Sequence, residues 1–154
     1  PSDAGIAGTH FTGVHAMSKA AVGRIPSDGE QCVIRTAYAD LVRERGVGRT
    51  LHAGTWVDVG TPSAYLHANL AVLDGTVDTP IDPWARGERA HEGSWVGPEV
   101  RVDGSARHSV LGAGSVVPSG SSVSDCVVWD GVTVPDGAHR RAVIYDDGRV
   151  LAID

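Results

Sequence analysis

The sequence predicts a mixed α/β segment followed by a short parallel β-helix, and three observations carry that prediction. Short apolar segments recur late in the chain: SWVG, SVLG, CVVWD and AVIYD begin at Ser94, Ser109, Cys126 and Ala142, at intervals of 15, 17 and 16 residues. Between them an apolar residue runs into a glycine turn, at Val102-Asp103-Gly104, Val117-Pro118-Ser119-Gly120 and Val134-Pro135-Asp136-Gly137. The 20 glycines among 154 residues are spread along the chain, as many turns or a repeat architecture require. Short strands returning at this spacing describe coils of imperfect hexapeptides. Each coil buries its inward valines only against the next, so about three coils are near the minimum and one end needs a cap.

The chain reads as three parts: residues 1–77, a linker over 78–93, and the repeats with a terminal hairpin over 94–154. In the first part His10 to His15 reads as a short strand, and Ser18 caps a brief helix carrying Ala20, Ala21 and Val22. Pro26, Ser27, Asp28 and Gly29 mark a turn. Tyr38, Leu41 and Val42 recur at helical spacing, which predicts a helix of about ten residues closed by Gly46 in the left-handed conformation. Thr50 to His52 and Thr55 to Val59 read as strands. Thr61 is a good N-cap and Pro62 suits a first helical turn; Leu66, Leu70 and Leu73 form an apolar stripe that ends at Gly75. Tyr65 and Val72 widen the stripe and Asn69 interrupts it.

The linker, with Pro80, Pro83, Arg86, Gly87, Glu88, Arg89 and Glu92, holds neither period, and Trp84 is a candidate anchor. At the other end, Ala142 to Tyr145 and Arg149 to Ile153 flank Asp146, Asp147 and Gly148, a hairpin signal that explains the two aspartates without chemistry.

Composition bounds the function. Hydrophobic residues are 42% and charged residues 21%, with a formal net charge of −6, so the chain is a folded one. A nucleic-acid binder would usually be basic. No apolar run approaches the roughly 20 residues needed to cross a bilayer, and no leader is visible, so a soluble, cytoplasmic protein without a membrane partner is expected. Cys32 and Cys126 lie far apart without metal spacing and read as small buried apolar residues. The chain opens at Pro1 and its single methionine is Met17, within a periodic segment, which points to a piece of a longer protein.

The most specific string is GTWVDVGTPSAYLHANLAVLDG, residues 54–75. Preceded by FTGVHAMSKAAVGRIP at Phe11 to Pro26 and followed by hexapeptide repeats, it resembles the C-terminal half of bacterial sugar-phosphate nucleotidyltransferases of the mannose-1-phosphate guanylyltransferase and glucose-1-phosphate thymidylyltransferase type. The resemblance covers essentially the whole chain, in the same order of elements. It implies the C-terminal part of a Rossmann-like nucleotidyltransferase domain and a left-handed β-helix. The family's glycine-rich GxGxRLxPLT loop and its EKP-type segment have no counterpart here, which implies that this chain alone lacks the nucleotide-binding half and is inactive.

By the same resemblance the parent enzyme joins an NTP and a sugar 1-phosphate into an NDP-sugar and pyrophosphate. Asp58 of WVDVG falls at the metal position, sharing Mg²⁺ with an aspartate of the missing N-terminal half. The chemistry suits that role, because attack of a sugar phosphate on an NTP gathers negative charge that a carboxylate-held Mg²⁺ neutralises. Without the resemblance Asp58 reads as the cap of a turn beside the Gly60 to Pro62 helix start; with it, the metal role is the favoured reading. Thr12, Gly13 and Val14 match the segment whose backbone passes the sugar, where a glycine permits close approach, or they form an ordinary strand. Trp56 either walls the sugar site or belongs to the core.

Two other classes remain open. Hexapeptide acyltransferases share the repeat, form trimers and place a histidine between subunits, which makes His108 and His139 their candidates here. A non-catalytic β-helix would instead serve as an oligomerisation or regulatory cap, with a homo-oligomer built through the repeats. An upstream GxGxRLxPLT loop discriminates among them.

Overall fold

The structure is a computed structural model that describes residues 11–77, 79, 88–89 and 91–154. The chain divides into two compact units, Pro1–Trp56 and Val57–Asp154.

Among the described residues, the regular elements of the first unit are all helical and the rest is irregular. Helix α1, Lys19–Val22, starts where the Ser18 hydroxyl accepts the Ala21 amide at 3.2 Å, the capping role its sequence predicts. A π-helical turn over Ile34–Tyr38 runs directly into helix α2, Ala39–Arg43, so the expected helix of about ten residues is present. Its end differs from expectation. The left-handed residue is Arg45, with φ of 56°, and Gly46 sits one position later, donating its amide to Leu41 O at 2.7 Å. The Arg45 amide reaches Val42 O at 3.1 Å, which completes a Schellman closure.

The expected strands do not form. Residues 11–15 are irregular, and residues 46–60, which include Thr50–His52 and Thr55–Val59, are in neither helix nor strand and are exposed throughout. A strand needs a neighbour to satisfy its amides, and no other described segment pairs with these. Val14, Leu51 and Val59 accordingly stand in solvent, Val14 at 84% exposure.

The second unit contains helix α3, Pro62–Leu73, and a β-solenoid of about three turns. Helix α3 has the caps its sequence predicts. Thr61 Oγ1 accepts the Ala64 amide at 3.1 Å, and Gly75, with φ of 70°, donates to Val72 O while Thr76 donates to Ala71 O.

The solenoid strands are short: β1 Glu88–Arg89, β2 Trp95–Val96, β3 Arg101–Val102, β4 Ser105–Arg107, β5 Val110–Leu111, β6 Val116–Val117, β7 Ser121–Ser124, β8 Val127–Val128, β9 Gly137–Arg140, β10 Ala142–Tyr145 and β11 Arg149–Ala152. They form three faces, ordered β1-β2-β5-β8-β10-β11, β3-β6 and β4-β7-β9. On the first face the parallel register aligns Val96, Leu111, Val128 and Ile144, the repeated positions read from the sequence. Side chains of this column point inward and join Val117, Val123, Val132 and Val134 in one core. The β10–β11 hairpin closes the last turn antiparallel, as expected.

The alternate column of the first face, Val110, Val127 and Val143, points outward and is also apolar, because Leu66, Tyr65 and Leu70 of α3 cover it together with Tyr145 and Ile153. The α3 stripe is thus explained by the outer wall of the solenoid. Trp84 and most of the 78–93 segment lie outside the described residues, as does His10.

Candidate functional site

Helix α3 has polar side chains of interest at both ends. At its start, Asp58 Oδ1 accepts the Gly60 amide at 3.0 Å, so the carboxylate closes the turn that leads to the Thr61 cap. Its second oxygen has no partner among the described residues, and the side chain is exposed. That leaves one oxygen for a hard cation. Mg²⁺ is commonly held by one or two carboxylates together with substrate phosphates, so Asp58 fits a single ligand position. Among the described residues no three His, Cys, Asp or Glu side chains cluster to complete a site around it.

Of the other residues singled out by sequence, Thr12, Gly13 and Val14 lie in the first unit and Trp56 at its end. Gly13 has φ of 82° and nothing near the position a Cβ would take, so its backbone is open to approach. Trp56 is 41% exposed, which argues against the core reading for this ring.

At the other end of α3 the structure assembles a group of which the sequence singles out only His108, and for a different role. His108 Nδ1 lies 2.7 Å from Asp125 Oδ1, and His108 Nε2 lies 2.8 Å from Asp74 Oδ1. Asp74 is the C-cap of α3, whereas His108 and Asp125 stand at one corner of successive solenoid turns. Asp125 Oδ2 also accepts the Ser124 hydroxyl at 3.0 Å and faces the Arg140 guanidinium at 3.9 Å. The Asp125 hydrogen bond, reinforced by Asp74, raises the His108 pKa above its ordinary value despite partial burial. In return the His108 contact, more than Ser124 or Arg140, holds the Asp125 carboxyl below the usual carboxylate range.

A signal for this corner exists in the sequence. Gly93, His108, Asp125 and Arg141 immediately precede the four repeat starts, and all four have positive φ. The position one residue before each repeat start marks the corner, but only the fold brings Asp74 to it.

Inside the corner runs a polar ladder. Ser94 Oγ accepts the Ser109 amide and Ser109 Oγ accepts the Cys126 amide, each at 3.1 Å. Cys126 is fully buried as expected, and burial pushes its thiol pKa up. Cys32 departs from expectation: it is exposed, and the Arg35 and Ile34 amides hold its thiol below the ordinary value. It stands ahead of a helical turn rather than on a buried face, which its flanking sequence does not distinguish. His139 is half-buried and its Nε2 meets Pro135 O at 2.9 Å.

Residues 84–153 match the family model described as GlmU-like, C-terminal hexapeptide. The chain is also similar to a mannose-1-phosphate guanylyltransferase of Mycobacterium tuberculosis, with 27% identity over 128 residues, which is 81% of this chain and 35% of that protein. The chain resembles the C-terminal, β-helical part of a sugar-phosphate nucleotidyltransferase. It spans about a third of the length of that relative. The nucleotidyltransferase similarity is not confined to the repeats, because 128 aligned residues exceed the hexapeptide segment and reach into the region that carries Asp58 or the segments before it. No solved structure matches significantly. Among the described residues no helix is long and apolar enough to cross a membrane.

Proposed function

We propose that this chain is the sugar-side and β-helical part of an enzyme that makes an NDP-sugar and pyrophosphate from an NTP and a sugar 1-phosphate. The observation that carries the proposal is the extent of the similarity to a mannose-1-phosphate guanylyltransferase, which continues beyond the hexapeptide segment. In this reading Asp58 is one Mg²⁺ ligand, and the metal, when bound, neutralises phosphate charge in the transition state. Thr12, Gly13 and Val14 line the sugar, with Gly13 leaving its backbone open, and Trp56 offers an apolar ring to a sugar face. The glycine-rich half that binds the nucleotide is supplied outside these 154 residues, and the solenoid serves as a cap or a contact between copies. The acyltransferase alternative is the weaker one, because both candidate histidines are engaged: His108 by two carboxylates and His139 by a carbonyl.

The test is pyrophosphate release by the complete gene product, offered a panel of NTPs and sugar 1-phosphates with Mg²⁺. Release with at least one pair, and none from the 154-residue chain alone, is expected. Absence of release with every pair, or acyl transfer from an acyl thioester instead, overturns the proposal.

A further inference from the structure

The contact between α3 and the solenoid has an apolar part and an ionic part, and the ionic part requires a particular protonation state. A neutral imidazole has one N–H donor and one bare nitrogen. His108 faces carboxylate oxygens with both nitrogens, at 2.7 Å and 2.8 Å. Two ionised carboxylates at those distances are satisfied together only by the imidazolium, since a bare nitrogen would set its lone pair against an oxygen.

The position of Asp74 makes the same demand. A carboxylate at a helix C-terminus meets the negative end of the helix dipole, and the last turn of α3 contains no basic residue. His108 is the cation that compensates it. The backbone around the ring is held as well: His108 and Asp125 have φ of 44° and 54°, the His108 amide donates to Glu92 O, and the Asp125 amide donates to Arg107 O. Such left-handed conformations persist where neighbours dictate them.

We propose that His108 is a pH-operated latch between helix α3 and the solenoid, which ties Asp74 to Asp125 when protonated and releases Asp74 when its proton passes to solvent. The charged groups about the ring decide which bond survives. Asp125 keeps the remaining N–H, because it is the less exposed carboxylate, at 26% against 48% for Asp74, and is already oriented by Ser124. Arg140 of β9 faces Asp125 from the next turn, and Arg107 of β4 reaches Ser124 Oγ at 3.4 Å, so the positive charge that remains after deprotonation also favours Asp125. Nothing equivalent faces Asp74 among the described groups. Leu66, Leu70 and Tyr65 keep the body of α3 on Val127 and Val143, so release loosens the last turn rather than the whole helix. The latch does not depend on the reaction proposed above.

The experiment combines an NMR titration of the His108 ring with hydrogen exchange of the 154-residue chain. The ring is expected to titrate above the ordinary value of about 6.5, and Asp74→Asn to move it down. The amides of Gly75 and Thr76, bonded to Val72 O and Ala71 O, are expected to lose protection by about two- to fivefold beyond the intrinsic rate change as pH rises through that point, the size of one partly exposed charged pair. His108→Asn, which tolerates positive φ, should show the low protection at every pH. If that variant fails to fold, Asp74→Asn gives the same reading by abolishing the pH step. A ring that titrates at or below the ordinary value, or a wild-type protection that follows the intrinsic rate alone, overturns the latch.

Discussion

Ser109 Oγ accepts the backbone amide of Cys126 across one turn of the solenoid, at 3.1 Å and out of contact with solvent. The same hydroxyl donates to Arg107 O at 2.8 Å, so one small side chain satisfies a buried amide and ties it to the preceding turn. Removing it leaves the Cys126 amide without a partner, while Arg107 O keeps the Asp125 amide. Ser109→Ala is expected to lower stability by about 1–3 kcal/mol, the usual cost of an unsatisfied buried group, measured by urea unfolding. Cys126→Ser, by contrast, places in this column the residue already found at Ser94 and Ser109, keeps a donor for Ser124 O, and should change stability by less than about 1 kcal/mol.

Helix α3 provides the second prediction. Leu66 is 3% exposed and covers Val127 and Val143 on the outer wall of the solenoid. Leu66→Ala should cost about 2–4 kcal/mol and uncover that wall, seen as a lower unfolding midpoint and new binding of a hydrophobic dye. Leu51→Ala, at a leucine 66% exposed, should change stability by less than about 0.5 kcal/mol. Equal losses in the two variants would show that α3 does not dock as described.

These two regions also show what the sequence makes legible. The repeat starts at Ser94, Ser109, Cys126 and Ala142 are visible as strings because each turn imposes the same demand at the same position, and the structure stacks them in register. The caps at Thr61 and Gly75 are equally legible, since capping is local chemistry. Tertiary choices are not. The stripe Leu66-Leu70-Leu73 announces a buried face without naming what it faces, and Thr55 to Val59 has strand composition but no described neighbour to pair with. The His108 group is legible only in part: His108 and Asp125 precede repeat starts, but Asp74 and His108 are 34 residues apart and meet only because α3 lies on the first face. Asp58 stands out through a motif; its local geometry shows the turn-closing bond from the Gly60 amide, and the ligand role rests on the resemblance.

Acid stability follows from Asp125. Its folded-state pKa is depressed, so the stability it contributes is present above its unfolded value of about 4 and is lost as pH falls through the lower folded value. Asp125→Asn, which keeps a residue tolerant of φ near 54°, should be less stable than wild type at neutral pH and should show a shallower loss of melting temperature below about pH 4. Parallel acid limbs in the two proteins would contradict the assignment.

Two glycines separate backbone strain from steric exclusion. Gly75 needs positive φ but has open space where a Cβ would go, so Gly75→Ala should cost only about 1 kcal/mol. At Gly112 a Cβ would run into the Asp130 carboxylate, the Asp130 amide and the Trp129 carbonyl carbon of the next turn. The turns are held at that spacing by the bond from Gly112 N to Val128 O at 2.8 Å and cannot separate without breaking the ladder. Gly112→Ala should therefore cost at least about 3 kcal/mol, measured by thermal unfolding of the two variants side by side.

The metal reading of Asp58 is separable from its structural role because the two use different oxygens. An asparagine at this position retains the Oδ1 that accepts the Gly60 amide, so the turn ahead of Thr61 should survive and stability should change by less than about 0.5 kcal/mol. What asparagine lacks is the negative charge that a hard cation requires of its ligand. In the complete gene product, Asp58→Asn is expected to lower turnover by roughly two or more orders of magnitude, because charge neutralisation at the reacting phosphates carries several kcal/mol of the barrier. Raising Mg²⁺ should recover part of that loss if the residue is a ligand, and none if Asp58 only shapes the turn. Unchanged turnover with an unchanged melting temperature removes Asp58 from the site and leaves it as the cap of α3's approach.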